Sequence, residues 1–388
     1  MAAEELVAAQ FSSYNLQTET PLNIEPLILM LSPLDLPLLT GVGSDGVPLL
    51  MRRPTANTVF WWQEEETPLP RATLSESGFD SSETDLTVGT GEAVKFAVGD
   101  TIRVDDEYMK VTACNTTTEV LTVTRGVLGS SAAAHNNLSE VIGVGTALPE
   151  GDLGGSTYQD RDKYSNYAQI FSRRVQATVT STMIRKYGVP NELNHQMMKN
   201  MRALMLGVEQ AALYGLKYED SATKVRSTGG LDDFIATNVN STDDWVTVDN
   251  IEDMQQDIWD LGGHATHLMA NPKGFKAINN MEGNERISTV TVDDNRRGRR
   301  RAEVVMTEQG PIELVRNRWV RKTDAFLYIP GQFTMKQLRP LVTERLAKTD
   351  DTVTFSIVME AGFEVKGESH MGKFTGLDIA AGLPANGV

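Results

Sequence analysis

Three consecutive acidic residues, Glu64-Glu65-Glu66, are the first candidates for chemistry, because glycoside hydrolysis needs two carboxylates flanking the scissile bond. Neighbours on a strand alternate in direction, so such a trio fits a solvated or partner-facing edge better than a catalytic pair. His264-Ala-Thr-His267 would set two imidazoles on one face of a helix, but a strand pattern, Thr266 to Ala270, overlaps it and no third ligand stands near. Gly41-Val-Gly43 lacks the strand-to-helix setting of a dinucleotide site, and no glycine-rich loop ends in Lys-Ser or Lys-Thr. The sequence therefore calls for no metal and no cofactor. The strongest local charge is Arg296-Arg297-Gly298-Arg299-Arg300-Arg301, suited to the phosphates of DNA or to carboxylates of a neighbouring chain. In a protein that is acidic overall, the protein partner is the better fit. Without a catalytic constellation, function has to come from shape and self-association.

The elements that would carry these residues are set first by composition. At 388 residues and 40% hydrophobic, the chain is long enough for two or three domains with a sizeable core. No apolar stretch reaches the roughly 18 to 20 residues of a membrane span. The richest stretch, Pro21 to Leu39, is broken by Pro26, Pro33 and Pro37, and a start with Glu4 and Glu5 is unlike the basic start of a signal peptide. One cysteine, Cys114, excludes an intrachain disulfide framework. Residues 1–160 hold 7 Lys/Arg against 23 Asp/Glu, while residues 161–388 hold 29 of each, so the whole net charge of −16 sits in the first part. That part is expected to be solvated or to oppose a basic surface.

Residues 1–50 read as a non-helical arm, because its prolines oppose a regular helix while Leu27, Leu29, Leu31 and Leu34, with Leu36, Leu38 and Leu39, are too apolar for a free tail. Such an arm needs a surface, and a neighbouring subunit is the natural one. Thr58 to Trp62 reads as a strand whose partner is expected in a long strand from Tyr164 to Val179. Between them, Leu86-Thr-Val88, Thr101 to Val104, Tyr108 to Thr112, Val120 to Thr124 and Val141-Ile142 alternate and are separated by turn residues, which predicts a small β-domain over residues 84–147. Leu193, Met197, Met201, Leu204, Val208 and Ala211 make one apolar stripe, predicting a helix of about 36 Å from Asn191 to Tyr214, entered at Pro190 and ended by Gly215. Its methionines are read as core filling. Asp249 to Leu261 predicts a second helix, followed by the short strand, a helix carrying Phe275 and Ile278, and a hairpin split at Gly310-Pro311.

The order of these parts becomes specific at Tyr164-Ser-Asn166-Tyr167-Ala-Gln169-Ile170-Phe171, Leu213-Tyr214-Gly215, Gly229-Gly230-Leu231, and Pro340-Leu-Val-Thr-Glu344-Arg-Leu346-Ala347-Lys348-Thr349 with Glu360 and Phe363-Glu-Val365. With these segments the chain resembles the major capsid proteins of tailed double-stranded DNA phages, in a subfamily carrying a β-domain inserted near the E-loop. The resemblance implies an α+β protein of the Hong Kong-type capsid fold. Its parts would be an N-terminal arm (1–50), an E-loop hairpin (51–83 and 148–185), the inserted β-domain (84–147), a spine helix (186–224), an axial domain (225–325), and peripheral-domain strands with the C-terminus (326–388). It implies a virion head subunit, assembled in the host cytoplasm into hexamers and pentamers around DNA bound without sequence preference. A scaffolding, portal or decoration protein is a further candidate partner, and no membrane is involved. The inter-subunit contact candidates are Glu64, Glu65, Glu66, Arg296, Arg297, Arg299, Arg300, Arg301, Leu27, Leu29, Leu31 and Leu34. The Lys, Asn and Glu trio that crosslinks some relatives cannot be placed, so no crosslinking is expected, and any scaffold is expected to be a separate protein. An encapsulin-like compartment shell, which shares the fold, is the alternative among shells; a hydrolase using Glu64 to Glu66 is the alternative of another class.

Overall fold

The computed structural model describes residues 35–43, 46–65, 70–76, 78–148, 151, 161–184, 191–241, 248–273, 287–292, 300–348 and 350–376. The chain forms two compact units, Trp61–Tyr164 and the remainder, Met1–Phe60 with Ser165–Val388. Strand Val59–Glu64 pairs with Asp162–Tyr167, and the division between the units falls inside both strands. Pro190, Phe275 and Ile278 lie outside the described residues.

The larger unit is built on two sheets. The first has four strands in the order Met51–Pro54, Phe333–Arg345, Thr352–Val365, Gln169–Thr178, with only the first pair parallel. The apolar stripe forms the helix Glu192–Tyr214, which packs Leu204, Val208, Ala212 and Leu213 into a core with Val175, Ile357, Met359 and Phe363 from this sheet. Asn191 caps the helix by accepting the Asn194 N–H at 3.1 Å, satisfying one of the amides left free at a helix start. Met197, Met201 and Met205 pack against the core, whereas Met198 is exposed. The second sheet has seven strands in the order Asn238–Asn240, Gly372–Phe374, Ala325–Tyr328, His267–Ala270, Gly310–Arg316, Arg300–Thr307, Ile287–Val292. Helix Val248–Asp260 buries Ile251, Met254 and Ile258 with Leu268, Leu314, Leu327 and Phe374.

The smaller unit holds an antiparallel six-stranded sheet: Arg71–Thr73, Glu140–Thr146, Asp100–Val104, Glu107–Asn115, Val120–Thr124, Asp85–Thr87. Alternate residues of these strands, among them Leu86, Ile102, Val104, Met109, Val111, Leu121 and Val141, build a core of its own.

Four features differ from the sequence reading. The strand expected from Tyr164 to Val179 is broken at Ala168, whose N–H donates to the Thr58 carbonyl at 2.7 Å; only the first half pairs with Val59–Glu64, and Gln169–Thr178 pairs with Thr352–Val365 over ten residues. The sheet of the smaller unit begins before residue 84, because Arg71–Thr73 joins it and Leu74 and Phe79 fill its core. Residues Gly372–Phe374, grouped by sequence with the C-terminal strands, return to the seven-stranded sheet. Most consequential is the arm. Pro37–Thr40 is a short helix with proline in its first turn, where the missing N–H costs nothing, and Leu38, Leu39, Leu49 and Leu50 are buried in the subunit's own core. Each such leucine contributes about 1.5–3 kcal/mol, so this part of the arm needs no neighbour.

Candidate assembly site

The predicted contact residues are only partly within reach. Glu66, Arg296, Arg297, Arg299, Leu27, Leu29, Leu31 and Leu34 lie outside the described residues. Glu64 ends its strand and accepts a hydrogen bond from Nε1 of Trp62 at 2.9 Å, and Trp62 stacks on Tyr164. Glu65 accepts from Nε of Arg161 at 2.9 Å; both side chains are exposed, so the pair contributes at most about 1 kcal/mol. Arg300 and Arg301 open the strand Arg300–Thr307 and pair with Val292 and Thr291. His267 is buried in its sheet, with Nδ1 2.8 Å from Oγ1 of Thr266 and Nε2 3.3 Å from Glu313.

Four of the segments quoted for the resemblance, those holding Asn166, Gly215, Gly229-Gly230 and Phe363, meet at one place in the larger unit. Asn166, fully buried, accepts at Oδ1 from the N–H groups of Gly229 (2.9 Å) and Tyr167 (2.8 Å), and donates from Nδ2 to the carbonyls of Gly229 (3.0 Å) and Phe363 (2.6 Å). Both ends of the amide are thereby paired, as a buried amide requires. The N–H of Gly230 donates to the Gly215 carbonyl at 2.8 Å. A Cβ on Gly230 would lie 2.6 and 2.7 Å from the Ala211 and Ala212 carbonyls, so glycine is needed for close approach to the helix end. One strand, the helix end and the long C-terminal strand are thus joined through Asn166, Gly215, Gly229, Gly230 and Phe363. The sequence reading quoted these residues without seeing why they belong together.

A second arrangement was missed outright. Glu209, on the buried side of Glu192–Tyr214, is 0% exposed. It accepts from the N–H groups of Leu38 (2.9 Å) and Leu39 (3.1 Å) and from Nδ2 of Asn317 (3.0 Å). Burial pushes its carboxyl above the usual range; the three donors oppose that rise and Asp35 adds to it. The available signal was an acid between Val208 and Ala212, next to the apolar stripe.

The family model described as SU10 major capsid protein matches residues 8–378. The chain belongs to the SU10 major capsid protein family. It is a subunit of an icosahedral phage head shell. Among solved structures, the capsid of Myoviridae phage XM1 is similar over 95% of this chain and 99% of its own, at 9% identity and a TM-score of 0.50. The Microbacterium phage Oxtober96 structure gives the same identity, coverage and score. The holo-SrpI encapsulin complex from Synechococcus elongatus is matched over 96% of this chain and 97% of its own, at 10% identity and a TM-score of 0.47. At these identities the likeness to the two phage structures concerns fold alone. A search of curated proteins finds no match.

The smaller unit of the capsid subunit carries its own buried charge network. Arg125 makes two bonds to Glu107, Nε to Oε1 at 3.0 Å and Nη2 to Oε2 at 2.7 Å, and stacks over Phe79. The N–H groups of Gly126 and Ala133 and Nε2 of His135 complete the shell around Glu107. Burial alone would raise this carboxyl, but Arg125, Ala133, His135 and Gly126 outweigh it and hold it at about 2. The network ties Glu107, Arg125 and His135 together inside the unit. Among the described residues, no helix is long and apolar enough to cross a membrane.

Proposed function

We propose that the subunit builds the head as hexamers and pentamers enclosing double-stranded DNA, with no turnover of its own and with assembly in the host cytoplasm. The observation that carries this reading is the family match over residues 8–378, a span that includes almost all of the arm and both units. In the proposed division, residues 51–83 and 148–185 are the E-loop hairpin, 84–147 an inserted β-domain widened by Arg71–Thr73, 186–224 the spine region, 225–325 the axial domain, and 326–388 the peripheral strands and C-terminus. Residues 1–34 reach a neighbour, while 35–50 belong to their own subunit. Exposed apolar residues in the larger unit, among them Ile170, Met183, Ile184, Leu216, Tyr218 and Val225, supply further surface for such contacts. Scaffolding, portal and decoration proteins are further partners in this reading.

The arginine cluster is assigned to a subunit boundary. Arginines repeated around a five- or six-fold axis repel unless carboxylates, DNA or salt neutralise them. Reversing Arg299 and Arg300 to Glu is expected to abolish assembly even without DNA, and adding Glu65→Arg to restore part of it, measured as the yield of sedimenting particles. Normal empty shells with poor DNA filling would move the cluster to a DNA contact. Unimpaired assembly and filling would leave it a solvated segment.

A further inference from the structure

The segment Asp35–Thr40 is gripped at its backbone by groups remote in sequence. Nε1 of Trp319 donates to the Asp35 carbonyl at 2.9 Å, Glu209 accepts from Leu38 and Leu39, and Nη2 of Arg52 donates to the Leu39 carbonyl at 2.8 Å. Asn317 connects two of these holds. Its Nδ2 donates to Glu209, and its Oδ1 accepts the Trp319 N–H at 2.8 Å. Both Glu209 and Asn317 are 0% exposed.

Burial of leucines would hold the segment without fixing its register, because apolar contact is not directional. The carboxylate does fix it. Glu209 receives two consecutive N–H groups, and the residue before them, Pro37, has none to offer. A slip that brought Pro37 to the carboxylate would cost Oε1 one of its two donors, leaving it Nδ2 of Asn317 alone. A slip the other way would bring Thr40, whose N–H already donates to the Leu36 carbonyl at 3.0 Å. The observed register is the one that gives Glu209 all three of its donors while Thr40 keeps its bond to Leu36.

We propose that Glu209 is a positioning residue for assembly: by locking Leu38 and Leu39 in one register it fixes the point at which residues 1–34 join the subunit. The inference rests on the reading above, in which residues 1–34 reach a neighbour. Its effect on the shell is carried by the arm and not by any contact of Glu209 with another subunit.

The test pairs a subunit measurement with a shell measurement. Glu209→Gln keeps one acceptor oxygen but sets an amide donor against one of its present donors. Hydrogen–deuterium exchange of the unassembled full chain should then quicken about tenfold in the peptide covering residues 35–43, while the peptides of Thr352–Val365 stay unchanged. Shell yield from that variant should fall severalfold at unchanged far-ultraviolet circular dichroism. Trp319→Phe, which keeps an aromatic ring but loses the bond to Asp35 and part of the indole's packing, should shift both readouts in the same direction and covers the case in which Glu209→Gln does not fold. Unchanged exchange at residues 35–43 would overturn the register lock, and quickened exchange with full shell yield would overturn the positioning role. Failure of the unaltered protein to assemble would instead overturn the shell-through-the-arm reading, while the exchange result still decides the lock.

Discussion

Deleting residues 1–40 is expected to cripple folding of the larger unit, whereas deleting residues 1–34 should leave it folded and unable to form stable shells. The two truncations differ by six residues, Asp35 to Thr40. Those six include Leu38 and Leu39, both in the core, with Leu36 packed against it. Removing a buried leucine typically costs about 2–5 kcal/mol, and here the loss also strips Glu209 of two of its three donors and leaves a carboxylate in the core. The sum rivals the roughly 5–15 kcal/mol by which an ordinary domain is stable. Thermal denaturation followed by circular dichroism separates the cases. A melting temperature for the shorter chain within about 2 °C of the longer truncation's partner, the chain lacking only 1–34, would mean that Leu38, Leu39 and Glu209 do not hold the core together.

The second large effect is expected in the smaller unit. Glu107→Gln should destabilise it by about 3–5 kcal/mol, because it leaves the buried Arg125 guanidinium without its counter-charge. The larger unit should melt as before, so the prediction concerns one of two transitions. The pH dependence has a definite sign. The Glu107 carboxyl is held at about 2 in the fold against 4.5 when unperturbed, so the stability it contributes is present above 4.5 and is lost as pH falls toward 2. The unaltered unit should therefore lose stability across that window more steeply than the Gln variant. Parallel pH profiles, or a variant that melts like the parent at pH 7, would show that the network contributes little.

The sequence made visible those features that depend on near neighbours. The stripe from Leu193 to Ala211 became Glu192–Tyr214 because a local period suffices to define it, and Gly310-Pro311 signalled the hairpin of Arg300–Thr307 and Gly310–Arg316, although both residues open its second strand and the turn itself is Glu308-Gln309. Strand pairing was less accessible. Gln169–Thr178 could have continued on Val59–Glu64 by propensity, and nothing local shows that its ladder belongs with Thr352–Val365. The arm was misjudged for a similar reason: Leu38 and Leu39 look stranded until the tertiary fold brings Glu209 and Val208 to them. Glu209 itself reads as an ordinary helix acid, since what makes it distinctive is the set of donors contributed from residues more than a hundred positions away. Asn166 was singled out only as part of a resemblance, and its role emerged when Gly229 and Phe363 were found on either side of its amide.

Electron microscopy of the purified full-length protein in negative stain tests the central claim most directly. A major capsid protein should appear as closed shells or as rings of five and six subunits. A field of compact single subunits at every salt concentration, with or without a scaffolding partner, would contradict it.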